Sequence, residues 1–165
     1  MSHSVTAAKE PMSAQPDDFH FLNGEWTIQN RRQVDATTQQ WEEFPGEATC
    51  WSILSGTASI EELRIPAKEF FGMGLRLLDK EKGVWNDYWV NARNGKLNLP
   101  PQQGRFENGV GLFLASELYD GKEILVRGVW DGITSDSCRW TQAVSYDQGV
   151  TWQPNWFMEW TRKRT

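Results

Sequence analysis

The 165-residue sequence predicts an all-β protein, an antiparallel barrel of about 8–10 strands. Turn dipeptides recur at short intervals: Asn23-Gly24, Asn94-Gly95, Asn108-Gly109, Asp120-Gly121 and Asp131-Gly132 all tolerate the positive φ angles of tight hairpins. Between them, apolar residues alternate with period two. No window carries an apolar stripe at helical spacing, and no alternation of strands with helices is visible. Many strands without covering helices must lose their edges by closing into a barrel or by stacking two sheets. Closure is the first expectation and a sandwich the second.

Taken in order, residues 1–16 (MSHSVTAAKEPMSAQP) are small and polar and read as a disordered N-terminal tail ahead of one domain, 17–165. Phe19, Phe21 and Leu22 suit a short helical turn or plug before Asn23-Gly24. Strands are expected near 25–34, 46–54, 57–65, 70–79, 84–91, 96–99, 103–108, 111–118, 124–131, 137–145 and 152–162. In 84–91 one face carries Trp85, Asp87 and Trp89. In 137–145 it carries Cys138, Trp140, Gln142 and Val144, and in 156–162 Trp156, Met158, Trp160 and Arg162.

With 39% hydrophobic residues and ten tryptophans, the chain can enclose a large aromatic core. Each indole brings an N–H that needs a partner when buried, so that core is expected to be partly polar. A net charge of −5 with acids and bases interleaved argues against nucleic-acid binding, which needs clustered basic residues. The basic run Arg162, Lys163 and Arg164 reads as a solvated tail. No secretory pattern and no membrane-spanning apolar segment are present, which leads to the expectation of a cytoplasmic protein without membrane association. There Cys50 and Cys138 would be reduced, small core residues, and two lone cysteines define no metal spacing.

Gly24-Glu25-Trp26 resembles the Gly-x-Trp that opens the first strand of lipocalins and related calycins, and Trp160-x-Arg162 lies on the expected last strand. That resemblance implies an arginine stacked over the first-strand tryptophan. Ser145-Tyr146-Asp147-Gln148-Gly149-Val150-Thr151-Trp152 fits the Asp-box pattern Ser-x-Asp-x-Gly-x-Thr-Trp. Its chemistry is that of a closed hairpin: Asp147 accepts N–H bonds, Gly149 supplies a permissive φ, and Trp152 covers the turn. One box without a repeat disfavours a propeller glycosidase. Over roughly 20–163 the chain is similar to a bacterial family of lipocalin-like proteins known only as a domain of unknown function. Trp41-Glu42-Glu43-Phe44, Gly104-Arg105-Phe106, Val126-Arg127-Gly128-Val129-Trp130 and Arg139-Trp140-Thr141-Gln142-Ala143 carry the likeness. It implies a fold and no chemistry.

Catalytic motifs are missing. His3 and His20 form no cluster, and no nucleophile elbow, phosphate loop or dinucleotide fingerprint occurs. Glu61 and Glu62 are adjacent on a strand and face opposite ways. Asp87 is the one weak catalytic candidate, because Trp85 and Trp89 would desolvate it on an inner face and raise its pKa. An isomerase or hydrolase using Asp87 as acid or base is therefore the alternative, as is a purely structural or interaction domain. A buried aspartate paired with Arg64, Arg76, Arg127 or Arg139 would look the same. The leading expectation is a binding protein without cofactor or metal, whose interior takes a small, largely apolar or aromatic ligand. Trp89, Arg127, Trp130, Trp140 and Gln142 are its candidate ligand contacts, although Arg127 and Trp130 belong to opposite strand faces. Self-association into a homodimer is left open.

Overall fold

The computed structural model describes residues 13–164. Ten strands, β1 (Gly24–Gln33), β2 (Trp41–Ile53), β3 (Ala58–Ile65), β4 (Phe70–Asp79), β5 (Val84–Asn91), β6 (Gln102–Glu107), β7 (Val110–Tyr119), β8 (Lys122–Asp131), β9 (Ser137–Ser145) and β10 (Gln153–Arg162), follow one another around a closed barrel. Every neighbour is antiparallel, and β1 closes the circle on β10 with Trp26 opposite Arg162. The lipocalin-like, all-β barrel expected from turn spacing and period-two alternation is thus the observed architecture. No helix among the described residues is long and apolar enough to cross a membrane.

Turn chemistry sets the hairpins. Asn108 and Gly109 have φ of 52° and 77°, and Asp120 and Gly121 have 50° and 74°, the paired positive angles of two-residue turns matched to strand twist. Between β9 and β10, Ser145 donates to Asp147 Oδ1 at 2.8 Å, the Gly149 N–H donates to Ser145 Oγ at 2.7 Å, and the Thr151 N–H donates to Asp147 Oδ1 at 2.8 Å. The Thr151 hydroxyl adds a 2.6 Å bond to Asp147 Oδ2, so one carboxylate gathers both ends of the turn.

Inside the barrel the alternating residues form one aromatic core that includes Trp26, Trp85, Phe113, Trp130 and Trp160. One end is plugged by a single 3-10 turn, His20–Leu22, with Phe19 buried just before it. Phe19 meets Trp85 and Phe106 edge to face at 5.1 and 5.0 Å. The Trp26 indole donates to the Leu22 carbonyl at 2.7 Å and that of Trp85 to Asp18 Oδ2 at 3.0 Å, so the plug is held by polar bonds as well as by packing.

Four expectations need correction. Residues 13–16 do not belong to a tail: Ala14 is buried and its N–H donates to the Gly83 carbonyl at 3.0 Å. The remainder of that segment, with His3, lies outside the described residues. Strand β2 starts at Trp41 rather than near 46, pairing Trp41 with Gln33. Residues 96–99 make only an isolated bridge, Val90 to Leu97, because Pro100 and Pro101 carry no N–H to extend a ladder. The C-terminal basic run is engaged rather than free, since Lys163 pairs with Glu47 at 3.0 Å and Arg162 stacks over Trp26 at 4.3 Å.

Candidate functional site

Three consecutive strands each place an ionisable side chain on the inner face: Glu61 on β3, Arg76 on β4 and Asp87 on β5. Arg76 is directly opposite Asp87 in the ladder, whereas Glu61 is opposite Gly74. The missing side chain at Gly74 leaves the diagonal open, and Arg76 Nη2 crosses it to donate to Glu61 Oε2. Arg76 Nε lies 3.6 Å from Asp87 Oδ2. The guanidinium also lies over the rings of Phe19 at 5.0 Å and Trp130 at 5.5 Å. Arg76 and Glu61 are almost fully buried, while the Asp87 side chain keeps 19% of its surface.

Burial pushes the Asp87 carboxyl up to about 6, and the nearby Glu61 adds to that rise while Arg76 opposes it. Burial by itself would pull Arg76 down, but the facing carboxylates of Glu61 and Asp87 outweigh it and hold the guanidinium above its ordinary value. Glu61 and Arg76 thus form a buried ion pair, beside which the Asp87 carboxyl stands raised to about 6.

Beside these residues lies a cavity of about 150 Å³. Its walls include Trp89, Trp130, Trp140, Trp156 and Trp160, its floor includes Glu61, Arg76 and Asp87, and the exposed residues Asn98, Pro100 and Glu117 stand on its rim. The rim follows from the ladder. β6 begins at Gln102 and pairs with β5 only as far as Asp87, so the upper half of β5 has no full strand beside it and the 92–101 segment covers it loosely. Glycines make room for the walls. A Cβ at Gly72 would fall 2.1 Å from Trp89 Cζ2, and one at Gly128 would fall 3.0 Å from Trp140 Nε1.

The indole N–H groups fall into two sets. The tryptophans of the plug donate to protein acceptors, and Trp156 donates to Asn30 Oδ1 at 2.9 Å. By contrast Trp130 Nε1, Trp160 Nε1 and two nitrogens of Arg76, Nε and Nη1, are buried without a hydrogen-bond partner. All four are donors. An unpaired buried donor costs about 1–3 kcal/mol, so this cluster is poorly satisfied by the protein alone.

Of the sequence-selected residues, the structure brings Trp89, Trp130, Trp140 and Gln142 together around the cavity, with Gln142 fixed by a 3.0 Å bond to Asn155 Oδ1. Arg127 is not among them. Its neighbours Gly128 and Val126 take the inner face, which turns Arg127 outward to lie 4.2 Å over the ring of Trp152. Asp87 faces inward as its flanking tryptophans suggested. Sequence reasoning passed over Glu61 by weighing it only against Glu62; Glu62 does point outward, but Glu61 meets Asp87 through Arg76 two strands away. The available signal was Gly72-x-Gly74-x-Arg76, a strand face emptied by glycines around one charge.

No protein family and no curated protein matches the chain.

Proposed function

We propose that the protein binds a small molecule inside the barrel: a compound of about one ring, with an apolar or aromatic body and one hydrogen-bond-accepting group. The observation that carries this reading is the coincidence of an aromatic cavity with buried, unpartnered donors on Arg76, Trp130 and Trp160. Binding sites combine apolar walls with a few placed polar groups, and an acceptor on the ligand would satisfy N–H groups that the protein leaves unpaired. At 150 Å³ the space is of the size known to admit benzene, so small aromatic acids and ketones suit it and haem, flavonoids and long fatty acids do not. The proposal places this binding in the cytoplasm.

Five tryptophans around the cavity supply a built-in probe. Titration with benzoate, benzaldehyde, cyclohexanone and toluene, followed by indole emission and by thermal shift, tests the reading. Compounds with an acceptor are expected to perturb emission and raise the melting temperature more than toluene, with haem and palmitate inert. Indifference to every single-ring compound would overturn the proposal.

A further inference from the structure

The position of Asp87 supports a step beyond binding, and this step rests on the binding reading above. Its carboxylate is the least buried of the three charged groups and lines the cavity, with Arg76 Nε 3.6 Å away as its ion-pair partner. Glu61, in contrast, is committed to Arg76 Nη2. The floor of a ring-sized space therefore holds a carboxylate with one long ion pair, and Arg76, Trp130 and Trp160 around it carry buried N–H groups without a protein acceptor. A base in an apolar space beside N–H donors is the arrangement that proton abstraction next to a carbonyl requires.

We propose that the cavity catalyses proton transfer at carbon, with Asp87 as the general base for a ring-sized carbonyl compound and the Arg76, Trp130 and Trp160 N–H groups holding its carbonyl oxygen. In a β,γ-unsaturated ketone Asp87 takes the proton from the carbon between carbonyl and alkene. The C–H pair becomes a carbon–carbon π bond, and the carbonyl π pair moves onto oxygen, where the donors meet the new negative charge. When that pair returns to re-form the carbonyl, the γ-carbon takes the proton back from Asp87. One C–H bond breaks, another forms, the double bond moves into conjugation, and no oxidant or reductant is consumed.

The acid–base setting agrees with this role. The ionisable groups facing Asp87 are Arg76 from β4 and, beyond it, Glu61 from β3; β6 presents the neutral Gln102 across the ladder. Their balance leaves Asp87 poised near 6, so that it is ionised at pH 7 yet basic enough to take a proton from carbon.

The probe is 3-cyclohexen-1-one, a single ring whose conversion to 2-cyclohexen-1-one is read by ultraviolet absorbance, with proton exchange from D2O followed by NMR. The wild type is expected to accelerate isomerisation over buffer, with a rate that rises from pH 5 to 7 and then levels. Asp87→Asn should lower the rate about 100-fold or more. Glu62→Gln, outside the barrel on the next residue from Glu61, should match wild type. A ketone that changes indole emission but neither isomerises nor exchanges its protons overturns this inference and leaves the binding reading standing; a ketone that does not bind, in a protein blind to the other single-ring compounds, overturns both. An Asp87→Asn variant as fast as wild type also overturns it. If that variant does not fold, a rate on the wild type that is flat between pH 5 and 7 does the same.

Discussion

The guanidinium of Arg162 lies 4.3 Å over the indole of Trp26, which joins the last strand of the barrel to the first at the plugged end. Its three donors are spread over different segments: Nη2 to the Phe21 carbonyl at 2.8 Å, Nε to the Ser135 carbonyl at 2.9 Å, and Nη1 to the Asn23 carbonyl. One side chain thus fastens the plug, the first strand and the loop before β9. Arg162→Ala is expected to lose about 2–3 kcal/mol in urea unfolding, from the stacking and the charged hydrogen bonds together. Arg162→Lys keeps the charge but not the planar fork, so it should recover less than half of that loss. An alanine variant as stable as wild type would show that the barrel closes without this tie.

Asp147 organises the turn between β9 and β10. The Thr151 side chain first, then the Thr151 N–H and Ser145, hold its carboxyl down at about 2. Because the folded value lies below the unfolded one, its stabilisation is present above the ordinary range near 3.8 and disappears as pH falls toward 2. At pH 7 Asp147→Ala should melt lower than wild type. Gln148→Asn, at an exposed position with φ of 59° that asparagine tolerates, should melt no lower. Equal losses in the two variants would mean that the carboxylate hydrogen bonds carry no particular weight.

These two features were readable because their causes are local or lie at the chain ends. Turn dipeptides and alternation name their structural partners by sequence distance alone, whereas the stack of Arg162 on Trp26 is implied by the likeness of Gly24-x-Trp26 and Trp160-x-Arg162 to lipocalins. Arg76 with Glu61 and Asp87 is different in kind: it depends on the register of three strands, and a slip of one residue would turn each charge to the outside. No single segment records that register. Arg127 is a different case: alternation puts it and Trp130 on opposite strand faces without saying which is inside, and the burial of Val126, Gly128 and Trp130 turns Arg127 outward. Residues 96–99 alternate like a strand, with Leu97 and Leu99 exposed, yet the prolines that follow deny them a ladder.

Gly72 gives a steric test of the cavity. A methyl group there would overlap Trp89, whose ring also stacks near Phe70 at 6.1 Å, so the indole must move and the wall of the cavity must move with it. Overpacking of this kind costs about 1–3 kcal/mol in stability. Gly72→Ala is expected to fold and to weaken the binding of a single-ring ligand by about tenfold or more, equivalent to about 1.4 kcal/mol. Fluorescence titration reads the change. An unaltered Kd would remove Trp89 from the binding surface.

The buried charge of Asp87 makes its own mark on stability. Its folded value, about 6, lies above the ordinary 3.8, so at pH below 3.8 the carboxyl is protonated in both states and imposes no penalty. Between 3.8 and 6 the unfolded chain has released the proton and the folded protein still holds it, so stability falls as pH rises, by at most about 1.4 kcal/mol per pH unit. Above 6 both states are ionised and the loss is constant. Asp147 titrates in the lower window between about 2 and 3.8 and with the opposite sign, so the two contributions separate along the pH axis. The clean measurement is the unfolding free energy of Asp87→Asn minus that of wild type from pH 4 to 7. That difference is expected to grow in favour of the asparagine variant up to about 6 and then to level, and a difference independent of pH would mean that Arg76 fully compensates the burial of the carboxylate.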